Sequence, residues 1–325
     1  MNLALKAFAT ICSLALALNL ATPTQANEAT KESIVRTLSS VASLSHLPSA
    51  SLLTDLAPLS VLPSGADYFS NAGASAIVSI PINSKNPIQL SGRSGTAINI
   101  LLPFAAGAIN SKVVADGAVA FDNKNGSIST VLNKTDGSLQ VATVLEKQSA
   151  PTQFSYEVNL PKGVQMVLDS DGGVSFLTSV GRYVGGVAPA WAIDARGATV
   201  PTRYSISGST LTQIVDHRDL PFAYPVVADP WFGIDLIDRT SWVSGTLQVY
   251  PTWWGRTTGV AARWAAWDEV VSKTPGNREN TPSMRDQLYC HFDFVRLRAP
   301  NKPSWNLDLS VPVMDYATLV LRQCN

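Results

Sequence analysis

Between residues 76 and 230 the chain is punctuated by turn dipeptides: Asp116-Gly117, Asn125-Gly126, Asp136-Gly137, Asp171-Gly172, Arg196-Gly197 and Ser207-Gly208. Glycine supplies the positive φ that tight hairpins require, and the β-branched runs filling the intervals suit a pleated, half-buried surface. Candidate strands are 77–82, 98–102, 128–131, 139–145, 154–160, 164–168, 174–177, 202–206 and 211–215. Many short strands at regular spacing imply an all-β module of β-sandwich type, so the fold is expected to be mainly β. Asp169-Ser170-Asp171-Gly172-Gly173 is read as a hairpin turn, because a calcium loop starting at Asp169 would need a bidentate Glu where Val180 stands.

The segments on either side differ. Residues 1–26 have the form of a Sec-type signal peptide: Lys6, an apolar run of about 15 residues that includes Cys12, and small residues at Thr24-Gln25-Ala26, which place the mature start near Asn27. That run is too short to span a bilayer and is followed at once by Pro23, so no transmembrane anchor is expected in the mature chain. Residues 27–75 are rich in Ser, Ala and Leu. Ile34, Leu38, Val41 and Ala42 fall at helical spacing and predict a helix near 29–45, with a tether after it broken by Pro48, Pro58, Pro63 and Gly65.

After Pro230 the composition changes again, and residues 231–325 hold seven of the eight tryptophans and both mature cysteines, Cys290 and Cys324. In an oxidising compartment those two form the evident disulfide. Val260, Trp264, Trp267 and Val271 predict one helix face, starting at Thr257 or Thr258 and stopping before Pro275-Gly276. Leu288, Cys290, Phe292 and Phe294 alternate with Tyr289, His291, Asp293 and Val295, which predicts a strand; a second, Trp305 to Val311, is expected to pair with it as a hairpin. Val313, Ala317, Val320 and Cys324 predict a last helix with Cys324 facing the core. A small disulfide-closed α+β domain is the expectation.

Composition narrows the chemistry. Twenty-four Lys+Arg against twenty-four Asp+Glu, with 15% charged residues, give no cationic excess for nucleic acid, so no nucleic-acid partner is expected. There is no G-x-S-x-G, Walker A, G-x-G-x-x-G or H-E-x-x-H motif, and only His46, His217 and His291 are present, so no metal site or cofactor is expected. His217 reads as a solvated turn residue and His46 as part of the tether. Asp268-Glu269 and Arg285-Asp286-Gln287 read as a solvated face or a helix cap. If Cys290 points inward from its strand, His291 and Asp293 emerge together on the other face, about 6–7 Å apart, with Asn306 and Asp308 beside them. That set could support general acid–base work; the plainer reading is a wet sheet face carrying an ordinary ion pair. Trp253 and Trp254 offer aromatic faces on which a cell-envelope glycan could stack, against the commoner use of tryptophan in a core.

Two stretches resemble known families. Residues 90–230 carry Pro151-Thr152, Phe154-Ser155-Tyr156, Leu160-Pro161-Lys162-Gly163, Ala188-Pro189-Ala190-Trp191 and the closing Tyr224-Pro225-Val226-Val227-Ala228-Asp229-Pro230. They resemble the β-rich stalk module of secreted actinobacterial proteins, which ends in a Y-P-V-V-x-D-P run and precedes varied C-terminal domains. Residues 231–325 carry Trp253-Trp254-Gly255-Arg256, Trp267-Asp268-Glu269-Val270, Met284-Arg285-Asp286-Gln287, Cys290-His291, Lys302-Pro303-Ser304-Trp305-Asn306-Leu307 and the terminal Cys324-Asn325. This stretch resembles a secreted actinobacterial domain of unknown function; where relatives carry Glu and then Arg-Pro after the W-N-L run, this chain has Asp308 and Val311-Pro312. The resemblance implies secretion, the disulfide and a domain boundary, and supplies no reaction.

The expectation is therefore an extracellular, non-catalytic binding or presentation protein that recognises an envelope glycan or protein. The alternative is a small secreted hydrolase or effector using His291 with Asp293 or Asp308, and a third reading is a structural surface spacer.

Overall fold

The computed structural model describes residues 23–44, 52–62, 65, 67–70, 76–92, 95–276 and 278–324. His46, most of the expected signal segment and part of the expected tether lie outside them. All nine expected strands coincide with observed ones. Among the described residues an eight-stranded antiparallel sheet runs Ser60–Val61, Asp67–Ser70, Ala76–Pro81, Ile88–Gly92, Ala97–Leu101, Gln153–Asn159, Thr210–Val215 and Thr202–Ser207. A ten-stranded sheet faces it, with Val164–Leu168 at one edge, Lys112–Ala115 at the other, and Ser127–Asn133 and Leu139–Leu145 within. Their facing sides interdigitate as one core, Val78, Ile98, Phe154 and Tyr156 meeting Phe121, Val141, Phe176 and Phe232.

Strand periodicity explains how a helix joins this sandwich. Gln153–Asn159 alternates exposed and buried along its length, as a strand with one wet face must. Ser127–Asn133 and Leu139–Leu145 are buried at every position. Their odd-numbered apolar residues, Val131, Leu139, Val141 and Leu145, point into the sandwich, while Ile128, Leu132, Ala142 and Val144 point outward. The outward set is covered by α1 (Pro23–Leu44) through Ile34, Leu38 and Val41, spaced i, i+4 and i+7. The helix extends N-terminally past the expected range, so the expected cleavage point after Ala26 falls in its first turn.

The stretch expected to be a tether is packed where it is described. Leu52 and Ala57 are buried, Ala57 N donates to the Asn133 carbonyl (2.9 Å), and Lys134 Nζ donates to the carbonyls of Leu52 (3.0 Å) and Thr54 (3.2 Å). The Lys134 ammonium is fully buried, and a buried charge needs such acceptors. Burial lowers its pKa to about 8 against the pull of Asp136, Asp55 and Asp229. His217 is corrected likewise. It is buried, with Nδ1 2.7 Å from the Tyr224 hydroxyl and Nε2 3.2 Å from the Pro151 carbonyl, and desolvation holds its pKa below the usual value. The acidic run at 169–173 makes the expected hairpin turn, Asp169 N donating to the Gly173 carbonyl (2.8 Å).

The Y-P-V-V-A-D-P run is where the chain leaves the sandwich. Val226–Asp229 pairs with Leu139–Leu145, and Asp229, buried, accepts from Gln140 Nε2 (2.5 Å); burial pushes its carboxyl up to about 8. A separate core then gathers Trp231, Leu236, Leu247, Trp254, Trp267, Leu288, Phe292, Trp305 and both cysteines. It lies between a three-stranded antiparallel sheet, Ile237–Val243, Thr246–Pro251 and Trp305–Asp308, and helices α2 (Trp253–Thr257), α3 (Arg263–Lys273), α4 (Pro282–Cys290), α5 (Arg296–Arg298) and α6 (Tyr316–Leu321). This small α+β region is closed by the Cys290–Cys324 disulfide, whose Cα atoms are 5.4 Å apart.

Candidate functional site

The expected strand around His291 is a helix. Thr281 caps α4, accepting from Met284 N (3.2 Å), with Pro282 in the first turn; His291–Val295 continues as a π-helical turn into α5. The buried residues Met284, Gln287, Leu288, His291, Phe292, Val295 and Arg296 recur at three- and four-residue intervals, a helical period. The apparent alternation arose because Tyr289 and Cys290 on the flanks are buried too. Trp305–Asp308 is a strand, as expected, but it pairs with Thr246–Pro251, with Trp305 opposite Val249 and Leu307 opposite Leu247.

This change of element disperses the proposed acid–base set. On a helix, residues two apart point about 200° apart, so His291 and Asp293 face different ways. His291 is fully buried; its Nδ1 donates to the Gln287 carbonyl (2.9 Å), its ring lies 6.4 Å from that of Trp305, and Nε2 has no hydrogen-bond partner among the described residues. Desolvation lowers its pKa to about 4, so the ring is neutral at pH 7. Asp293 instead accepts from Arg263 Nη1 (2.7 Å) and the Tyr316 hydroxyl (2.7 Å). Asp308 accepts from the Thr246 hydroxyl, and its backbone is clamped by Gln287, which accepts from Asp308 N (2.8 Å) and donates to its carbonyl (3.0 Å). Each residue has a structural task, and His291 has no surface exposed to solvent.

The tryptophan pair divides, Trp253 half-buried and Trp254 buried. Thr252 caps α2, accepting from Gly255 N (2.8 Å), which places Trp253 and Trp254 in its first turn. Trp254 is fully buried and its ring lies on Gly233, where a Cβ would come within 2.2 Å; its backbone N donates to Asp136 (2.8 Å). Trp253 Nε1 donates to Asp55 (2.8 Å). The pair docks the C-terminal unit onto the sandwich, and Trp254 has no face to offer a glycan. Glu269, expected on a solvated face, accepts from the backbone N of Leu236 (3.0 Å) and Ile237 (2.9 Å) and pairs with Lys273 (3.2 Å), fixing the chain where it enters the unit. Beside it lies a cleft of about 520 Å³ lined by Arg182, Tyr183, Asp235, Asp268 and Lys273.

What the unit offers to solvent is a different face. The helix expected from Thr257 is broken at Thr258 and Gly259 and restarts as α3, which buries Ala266, Trp267 and Val270 and turns Trp264 outward, 57% exposed. Trp264 packs edge-on against Tyr289 (4.9 Å between rings), and the Arg263 guanidinium lies over both, 5.1 and 5.3 Å from their centres. Through Asp293 the same arginine reaches Tyr316, whose ring lies 6.5 Å from that of Phe294. In α6 Leu319 is the buried residue and Val313 before the helix is exposed, but Cys324 faces the core as expected. Sequence reading placed Trp264 on the buried face; the Gly259 interruption was the signal that the face rotates.

Among the described residues no three His, Cys, Asp or Glu side chains gather in a way that could hold a metal ion, and no helix is long and apolar enough to cross a membrane. No solved structure matches the chain. Over 98 residues it is 40% identical to uncharacterized proteins of Mycobacterium tuberculosis and Mycobacterium bovis, and the match takes in 28% of this chain and 65% of each relative, just under two thirds of their length. An uncharacterized protein of Mycobacterium leprae is 30% identical over 104 residues, 30% of this chain and 83% of that relative. The family described as "Protein of unknown function (DUF2599)" matches residues 237–325, the span that holds the three-stranded sheet, the π-helical turn and the disulfide. Through this C-terminal unit, the chain belongs to the DUF2599 family of proteins of unknown function.

Proposed function

We propose that this is a secreted, non-catalytic binding protein of an actinobacterium, exported by the segment 1–26, in which the β-rich module ending in Y-P-V-V-A-D-P acts as a stalk and residues 231–325 recognise a component of the cell envelope. One observation carries this reading: the surface cluster of Trp264, Phe294, Arg263 and Tyr316, seated on the buried ring of Tyr289. Aromatic residues and arginine dominate binding hot spots, because they bring large contact area at low entropic cost. Here the cluster is held rigid by the Arg263–Asp293–Tyr316 bonds beneath it and by the disulfide. The burial of His291 and the separate engagements of Asp293 and Asp308 support a non-catalytic role over the hydrolase alternative.

The test is a titration of oxidised residues 27–325 against isolated actinobacterial envelope preparations. Saturable binding that Trp264→Ala abolishes is the expected outcome. Binding that never saturates, or that Trp264→Ala leaves intact, contradicts the reading.

A further inference from the structure

The aromatic cluster continues into an apolar patch of a particular kind. Val260 (47% exposed), Trp264 (57%), Phe294 (38%) and Leu297 (72%) come from the turn before α3, α3 itself, the π-helical turn and α5. Two bonds tie these elements to one another. The Arg296 guanidinium donates to the Thr258 carbonyl, which ties α5 to the Val260 turn, and the Arg263–Asp293 pair ties α3 to the π-helical turn. Arg298, next to Leu297, is exposed and forms no ion pair with another described residue. Residues 237–325 carry a small basic excess, ten Lys+Arg, eight of them Arg, against eight Asp+Glu, while the whole chain is balanced at twenty-four each.

We infer that this patch is where the protein rests on an anionic lipid surface, with Val260, Trp264, Phe294 and Leu297 entering the interfacial layer and Arg298 at headgroup level. The inference rests on the binding reading above and names its partner. Tryptophan and phenylalanine beside exposed arginine is the composition of a monolayer-inserting face, since aromatic rings settle at the interface and guanidinium groups pair with phosphate. A lipid layer needs no matching shape, so each inserted side chain contributes through its own apolar area. Charge complementarity selects an anionic layer, whose attraction for basic groups acts within a Debye length.

The test is flotation of oxidised residues 27–325 with vesicles of phosphatidylcholine alone and of phosphatidylcholine mixed equally with phosphatidylglycerol. The expected result is binding to the mixed vesicles, weakened by raised salt and reduced about tenfold or more in Leu297→Ser and again in Trp264→Ser. Arg298→Glu should lose the preference for the anionic vesicles. Leu297 is so exposed that its replacement leaves the fold intact, which an unchanged melting curve verifies. Vesicle binding that survives Leu297→Ser and Trp264→Ser together overturns the inference. So does binding to intact envelopes, sensitive to Trp264→Ser, with no binding to protein-free vesicles: that result identifies a protein or glycan partner and leaves the broader reading standing. Binding to neither material removes both.

Discussion

Acidification tests the reassignment of His291 most sharply. In the unfolded chain its imidazole takes up a proton near the ordinary 6.5, while in the folded protein burial delays protonation to about 4. Between those values only the unfolded state holds the extra proton, so stability falls as pH drops from 6.5 to 4, by about 1.4 kcal/mol per pH unit and about 3 kcal/mol in all. Above 6.5 the contribution is complete, and below 4 the loss levels off. His291→Phe removes the titrating group but fills the same volume against Trp305, and the Gln287 carbonyl keeps the backbone N–H of residue 291 as a partner. Urea unfolding of both proteins, followed by tryptophan fluorescence, should give similar stabilities at pH 7.5 and a gap of about 3 kcal/mol in favour of the variant at pH 4. Other titrating groups are common to both proteins and cancel in the difference. Parallel pH curves would refute the buried, neutral imidazole, and would restore a solvated His291 of the kind a strand face requires.

Three further outcomes follow from the packing. Replacing Cys290 and Cys324 with serine should cost about 3–4 kcal/mol on the chain-entropy model, read as a lower urea midpoint that matches the reduced wild type. Gly233→Ala places a Cβ against the buried Trp254 ring and should destabilise by about 1–3 kcal/mol, seen as a lowered melting temperature. Asp229 has its carboxyl pKa raised by burial, so the unfolded chain loses that proton near 3.8 while the folded one holds it, and wild-type stability from this group is lost as pH rises towards 8. Asp229→Asn should therefore gain on the wild type steadily from pH 4 to pH 8 in the same unfolding assay.

The sandwich was legible because its turns announce themselves and each strand has a local period of two; α1 was legible from Ile34, Leu38 and Val41. The disulfide followed from cysteine count and compartment. The helix at 282–298 was missed because burial on three sides of it made an apolar alternation that fits either period, although Thr281-Pro282 carries a cap and a first-turn proline and Pro300 a stop. His217 and Glu269 were read as solvated, since their partners, the Pro151 carbonyl and the Leu236 and Ile237 amides, lie 32 to 66 residues away in sequence. Local patterning carries no trace of such non-local bonds. The exposed cluster was hidden for the same reason: whether Trp264 or Trp267 faces inward is decided by where α3 begins, which Gly259 sets.

The most direct test of the account is hydroxyl-radical footprinting of oxidised residues 27–325 with and without envelope material. Protection at Trp264, Phe294 and Leu297, with no change at Val180 and Val243, which are 87% and 47% exposed elsewhere on the surface, is the result the account predicts. Protection confined to Val180 and Val243, or none at Trp264 under conditions where the protein is bound, would contradict it.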